Sequence, residues 1–307
     1  MTAGTGPDRP WSGRSQGGGF GHRLVYWFAR LGGVHLCYFL LIPPTLWYFW
    51  RLADRRRVIC RYWQRLRPGL GRWGCLFMAA RHFWSFARIL ADRFLVGVSP
   101  GSIRWRSLGD QALLAGLAHR EGCVLLSAHL GNWELSSRWL EHYPVRALNV
   151  VMLMGEDPRI AAELARAMGA APFAVIDVAD PFGASLAIAA ALRRGETCCM
   201  LGDRTAGTGD HTIAAPLLGG LARFPTGPFI AAAATGAVVM PTYCVKCGWR
   251  DYALFADEPW TVRFADRAGR QAELERAVAR WARSLERMVR RYPMQWHNFY
   301  DFWAPAR

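Results

Sequence analysis

Apolar and polar positions divide the chain into two textures. From Leu24 to Trp50 the sequence is almost wholly apolar and aromatic, LVYWFARLGGVHLCYFLLIPPTLWYFW, interrupted by Arg30 and His35. Pro43-Pro44 breaks any continuous helix there. The unbroken stretch from Leu36 to Trp50 falls short of the roughly 20 residues that a simple span needs. No small-residue cleavage site of the signal-peptide kind accompanies it. The pattern predicts a helix lying in, or dipping into, a bilayer interface, with the arginines between Arg51 and Arg57 holding the cytoplasmic side. A single true span is the open alternative. Val58, Tyr62 and Leu66 then recur at helical spacing, and residues 76–95 form another helical stretch that is apolar on most faces. Residues 21–100 thus read as a helical, membrane-associated region ended by Pro100-Gly101. The Gly-, Ser-, Pro- and Arg-rich residues 1–20 read as a disordered tail.

After residue 100 short apolar runs alternate with helical patterns. Candidate strands are CVLLSA (123–128), ALNVVML (147–153), FAVIDV (173–178), CCML (198–201) and AVVMPTY (237–243). Helical stretches at 107–120, 133–142, 158–169, 181–194 and 227–235 lie between or before them. This rhythm predicts an α/β domain over residues 101–307, a mostly parallel sheet flanked by helices. Residues 271–291 form a clear amphipathic helix, with Leu274, Val278, Trp281, Leu285 and Met288 on one face.

Charge sharpens the first texture. The 307 residues carry a formal charge of +15, and every basic residue but Lys246 is arginine. Between Arg51 and Arg106 thirteen arginines face only Asp54 and Asp92. A basic, aromatic-rich segment beside an apolar one suits anionic headgroups or an acidic protein partner. Nucleic acid is the rival partner, but no zinc-finger, basic-zipper or RNA-recognition signature supports it. The 15 tryptophans fit a membrane–water interface or an ordinary core. The eight cysteines are scattered in apolar runs, as reduced core residues are. Cys244-x-x-Cys247 has metal-like spacing but no matching second pair, so no metal site is expected.

Candidate chemistry lies where CVLLSA runs into His129-Leu-Gly-Asn-Trp-Glu134. Functional groups in open α/β sheets gather at the carboxyl ends of strands, which is where His129 stands. Gly131 permits a tight turn, and Glu134 falls in the first turn of the next helix, where the amide N-terminus favours a carboxylate. The turn can bring Glu134 back to the imidazole, fixing its tautomer and stabilising the imidazolium. The bland alternative is a core histidine with a helix-capping glutamate. Ser127 shares a strand face with His129 but lacks a Gly-x-Ser-x-Gly elbow. The Gly-rich loop from Gly202 to His211 lacks the Lys-Ser/Thr ending of a phosphate loop and reads as a flexible loop. Asp203 sits at a strand end beside the proposed cleft. Trp296 and His297 read as core or interface residues.

His129-x4-Glu134 within SAHLGNWEL resembles the signature of the lysophospholipid acyltransferase superfamily, and more closely the branch of the late acyltransferases of lipid A biosynthesis. Gly202-Asp203-Arg204 after a strand agrees with that branch. So does the Phe224-Pro-Thr-Gly-Pro228 block, followed by an Ala-rich helix and ATGAVVMP. Tyr292-Pro293-Met-Gln295-Trp296, with Phe299-Tyr-Asp-Phe-Trp303, resembles the C-terminal aromatic signature of a predicted subgroup. The resemblance covers roughly residues 21–303.

It implies a His129–Glu134 dyad with no covalent acyl-enzyme and no cofactor. The donor is a thioester of acyl carrier protein, or of coenzyme A, and the acceptor a hydroxyl or amine of a lipid-like molecule. It further implies an inner-membrane location on the cytoplasmic face, beside phospholipids. Gly131, Asn132, Asp203, Arg204, Arg223 and Thr226 are the implied substrate-binding set, with amide donors near Gly131 and Asn132 meeting the oxyanion. The sequence departs from the lipid A pattern near Met154-Gly155, where a basic residue is missing. Arg204 or Arg223 can supply that cation to a phosphate or carboxylate. A lipid-binding protein without activity, or a hydrolase using the same pair on water, are the rival functions.

Overall fold

The computed structural model describes residues 34–98, 101, 103–140, 142–153, 173–204 and 211–303. The expected tail at 1–20, the helix at 158–169, Met154-Gly155 and residues 205–210 of the Gly-rich loop lie outside these.

The N-terminal region is helical, as its periodicity predicts. Helix α1 spans Ile42–Arg51, α2 Ala53–Leu66 and α3 Arg72–Val98. Pro43-Pro44 does break the apolar run, and it does so by starting a helix. Proline suits the first turn because its missing N–H would find no partner there anyway. Among the described residues no helix is long and apolar enough to cross a membrane.

Beyond α3 come β1 (Arg104–Leu108), α4 (Asp110–Leu117), β2 (Cys123–Ser127), α5 (Trp133–Leu140), β3 (Leu148–Met152) and β4 (Ala174–Asp177). They are followed by α6 (Pro181–Arg193), β5 (Thr197–Leu201), β6 (Thr212–Leu217), β7 (Gly220–Pro225) and α7 (Gly227–Thr235). The chain closes with β8 (Val238–Lys246), β9 (Asp251–Ala256), β10 (Trp260–Thr261), α8 (Arg270–Arg291) and a 3₁₀ turn at Pro293–Gln295. Sequence signals for the α/β helices are explicit. Asp180 caps α6 by accepting the Phe182 amide at 3.2 Å, with Pro181 in its first turn, and α7 ends on the left-handed Gly236.

One sheet dominates, in the order β1-β9-β8-β2-β5-β3-β4, with β10 added on β8. The run from β8 to β4 is parallel, while β9 pairs antiparallel with β8 and β10 does likewise. The sheet is therefore mostly parallel with a mixed edge. The sequence pattern missed β1, β9, β10 and the β6–β7 hairpin, and it ended β8 three residues early. β1 is RWRSL, an edge strand that exposes Arg104, Arg106 and Leu108, so no apolar alternation marks it.

Side chains of β2 alternate between two cores. Val124 and Leu126 face the cluster built with α6, α7, α8, α2 and α3. Cys123 and Leu125 face the smaller cluster built with α4 and α5. The predicted stripe of α8 is buried throughout.

The helical layer is tied to the sheet by a buried ion pair. Lys246 Nζ, at the end of β8, lies 2.8 Å from Asp92 of α3, both almost wholly buried. Tyr38 donates to the other Asp92 oxygen at 2.5 Å, Tyr252 also donates to Asp92, and Lys246 donates to the Trp249 carbonyl at 2.6 Å. The single lysine of the chain is thus a tether.

Candidate active site

β2 and β5 pair in parallel, with Ser127 opposite Leu201. Carried two residues further, that register sets His129 beside Asp203. Gly202 between them has no room for a side chain, since a Cβ would press on Leu126 and the Trp281 indole. The Trp281 N–H in turn holds the Gly202 carbonyl at 3.0 Å.

Asp203 grips the histidine twice. Its Oδ1 lies 2.8 Å from His129 Nδ1, and its Oδ2 accepts the His129 backbone N–H at 2.9 Å. The Asp203 side chain is fully buried, whereas 19% of the His129 side chain reaches solvent. Among the described residues the imidazole, and not its partner, is open to solvent. The Trp296 indole donates to Oδ2 at 2.9 Å, and the Tyr300 hydroxyl to the Asp203 carbonyl at 2.7 Å.

The backbone beyond His129 is stitched on both sides. Leu130 bridges to Trp296 and Gly131 to Cys244. The His297 amide donates to the His129 carbonyl at 2.7 Å. Gly131 has a φ of +72°, and a Cβ there would run into the Cys244 carbonyl. Only glycine fits this turn.

Two expectations change here. The amides of Gly131 and Asn132 donate to the carbonyls of Gln295 (2.8 Å) and Cys244 (2.7 Å), so neither is available to an oxyanion. The Asn132 side chain is buried too, its amide on the Ile89 carbonyl at 3.2 Å and its oxygen on the Leu135 amide at 3.4 Å. It caps α5 and ties that helix to α3. The second change concerns the tautomer. Asp203, delivered by strand register, occupies Nδ1, the place expected for Glu134. Glu134 sits in the first turn of α5 and acts on His129 through its charge.

Electrostatics favour a neutral imidazole. Burial pushes the His129 pKa below 6.5; Asp203 opposes this, Arg204 reinforces it, and Glu134 opposes it more weakly. Burial works to raise the Asp203 carboxyl, but His129, Arg204 and the Trp296 indole hold it below the usual range. Arg204 is itself half-buried, donating to the His297 carbonyl at 2.9 Å, with its guanidinium 5.7 Å from the Tyr300 ring centre. The other two candidates bind hairpin groups. Arg223 is exposed and donates to Thr212 at 2.8 Å, and Thr226 is buried with its hydroxyl on the His211 carbonyl at 2.9 Å. Trp296 and His297, expected as core or interface residues, and Tyr300, noted only within the aromatic signature, are site-building residues; the dense aromatic run at the C-terminus was their signal.

Over residues 78–304 the chain matches the family of bacterial lipid A biosynthesis acyltransferases. The chain belongs to that family. It is an acyltransferase of lipid biosynthesis, and the matched span holds every residue of the site while leaving α1 and α2 outside. A solved structure, the 1-acyl-sn-glycerophosphate (LPA) acyltransferase PlsC from Thermotoga maritima, is similar at 13% identity and a TM-score of 0.34. The likeness covers 79% of this acyltransferase and 95% of that chain. No curated protein matches the sequence.

Proposed function

We propose that this acyltransferase moves a fatty-acyl chain from a carrier-protein or coenzyme A thioester to a hydroxyl or amine of a lipid-like acceptor, with His129 as general base. The observation that carries the reading is the double grip of buried Asp203 on a partly exposed imidazole. With Nδ1 facing a carboxylate, Nε2 takes the acceptor proton as the acceptor oxygen or nitrogen attacks the thioester carbonyl. The tetrahedral intermediate then collapses, the C–S bond breaks, and the departing thiolate takes the proton from the imidazolium. No acyl-enzyme forms. Asp203 stabilises the imidazolium at short range, and the Glu134 charge adds to it. Arg204, the cation that acts on both His129 and Asp203, is the group to meet an oxyanion or an anionic part of substrate.

The reaction belongs at a membrane surface, on the cytoplasmic face of the inner membrane. Exposed Phe39, Trp47, Trp50, Trp73 and Phe77 lie among the arginines of the helical layer, the composition that suits an interface of anionic lipid. The same positive surface suits an acidic carrier protein.

A radiolabelled acyl-carrier thioester with membrane extract as acceptor tests the chemistry. His129→Ala should lose transfer by about 10²- to 10⁴-fold, the usual range for a general base. Glu134→Ala should lose less. Undiminished transfer by His129→Ala sinks the mechanism, and free fatty acid without acylated lipid points to a hydrolase.

A further inference from the structure

The C-terminal aromatic run, Trp296 to Trp303, plays no part in the proton transfer just described, yet two of its side chains, Trp296 and Tyr300, donate to Asp203. The Trp296 indole has one N–H and no acceptor, and it donates to Asp203 Oδ2, the oxygen that also accepts the His129 amide. The ring cannot swing away. It is buried, with Tyr62 at 5.6 Å, Phe302 at 5.3 Å and Trp303 at 6.0 Å between ring centres. Its backbone is bridged to Leu130, one residue past His129, and its carbonyl faces His82 Nε2 at 3.1 Å. Tyr300 meanwhile fixes the Asp203 backbone by donating to its carbonyl at 2.7 Å.

We propose that Trp296 is a positioning residue of the acyl transfer. Its indole N–H fixes the Asp203 carboxylate so that Oδ1 meets His129 Nδ1, and Tyr300 fixes the backbone behind that carboxylate. Trp296 and Tyr300 are in this sense the rear wall of the catalytic site, and the indole N–H explains why tryptophan rather than phenylalanine stands at position 296. The inference rests on His129 being the base.

The expected signature separates positioning from packing. Deleting the N–H frees the Asp203 carboxylate to turn from Nδ1, which weakens its hold on the imidazolium and lowers the His129 midpoint. The other charged or titratable groups acting on this pair are Arg204, Glu134, His297, Tyr243 and Tyr300, and all are retained in Trp296→Phe. Phenylalanine keeps a ring among Tyr62, Phe302 and Trp303 while deleting the N–H.

Two measurements on the full chain in detergent micelles test this. One is a titration of ¹⁵N-histidine-labelled protein; the other is transfer from a radiolabelled acyl-carrier thioester to membrane extract. In Trp296→Phe the His129 midpoint should fall. Its kcat should fall by about tenfold to a hundredfold, the size of one hydrogen bond to a charged group, with the KM for the thioester unchanged. Tyr300→Phe should lower kcat by a smaller factor. Phe302→Leu, which loosens the packing on Trp296 without touching Asp203, should lower the melting temperature and leave both readouts as in wild type. A folded Trp296→Phe with wild-type midpoint and kcat overturns the proposal, as does the same midpoint shift in Phe302→Leu. Should Trp296→Phe fail to fold, an unchanged kcat in Tyr300→Phe overturns it instead. Transfer persisting in His129→Ala would remove the reading of the base, while the titration would still report whether Trp296 reaches His129 through Asp203.

Discussion

The helical layer at 34–98 leaves on its surface tryptophans of the kind that the sheet domain uses to build its site. In the sheet domain Trp281 and Trp296 are sealed inside and their N–H groups hold Gly202 and Asp203. In the helical layer Trp50 and Trp73 are 72% and 78% exposed, and arginines lie over neighbouring rings, Arg56 on Trp50 and Arg72 on Trp73. The same residue type serves as a polar clamp in one region and as open apolar surface in the other. Composition alone cannot separate these uses, because burial and the fate of each indole N–H decide between them. Both exposed tryptophans lie outside the family match, which starts inside α3 at residue 78.

The strongest way to break the comparison is to cut the tether between the regions. Lys246→Met leaves the Asp92 charge buried against Tyr38 and Tyr252 without its cation. The full chain should lose about 3–5 kcal/mol, the usual cost of orphaning one partner of a buried pair. Chemical denaturation in detergent measures it. Adding Asp92→Asn removes the stranded charge and should recover part of the loss. A Lys246→Met protein as stable as wild type would mean that the layers hold together without the pair.

Which parts were legible in the sequence follows from the same physics. Each element of the parallel core announces itself locally: an apolar run for β2, a stripe at helical spacing for α8, a proline and an aspartate at the start of α6. β1 lacks such marks, since it exposes two arginines in five residues, whereas β9 carries a short apolar run, YALF, that was passed over. The position of His129 was legible from its strand end, but its partner was not. Glu134 is five residues away and invites local reasoning, whereas Asp203 comes from a strand 74 residues on. Only the β2–β5 register brings it alongside. Trp296 lies 93 residues beyond Asp203, so an aromatic signature was visible in the sequence while its target was not.

A gentler cut uses pH. His82 in α3 and His297 and His129 in the sheet domain meet at the seam between the regions, with the His82 and His297 ring centres 5.7 Å apart. Burial is the leading cause that lowers all three, His82 to about 4. The sign follows from proton counting. Below 6.5 the unfolded chain binds protons that the folded chain refuses, so stability is full above that pH and is lost as pH falls. His82 alone accounts for about 3 kcal/mol between pH 6.5 and 4. Denaturation midpoints measured down this range should fall, and His82→Gln should flatten the decline. An unaltered slope in that variant would take the acid sensitivity away from the seam.

The smallest effect sharpens the other side of the comparison. Trp50 packs no core, so Trp50→Ser should leave the denaturation midpoint within about 0.5 kcal/mol of wild type. If the exposed ring enters a lipid surface, its loss removes about 1.5 kcal/mol of apolar burial, which is about tenfold in partitioning. Flotation with vesicles of anionic phospholipid reads this directly. Trp281→Ser should do the reverse, since that ring is buried on Gly202 and Tyr243: it should destabilise the fold and leave the vesicle affinity of whatever remains folded unchanged. Should Trp50→Ser bind vesicles as wild type does, the open aromatic face would have to serve a protein partner, and the exposed tryptophans of the helical layer would be read as a docking surface for the carrier instead of for lipid.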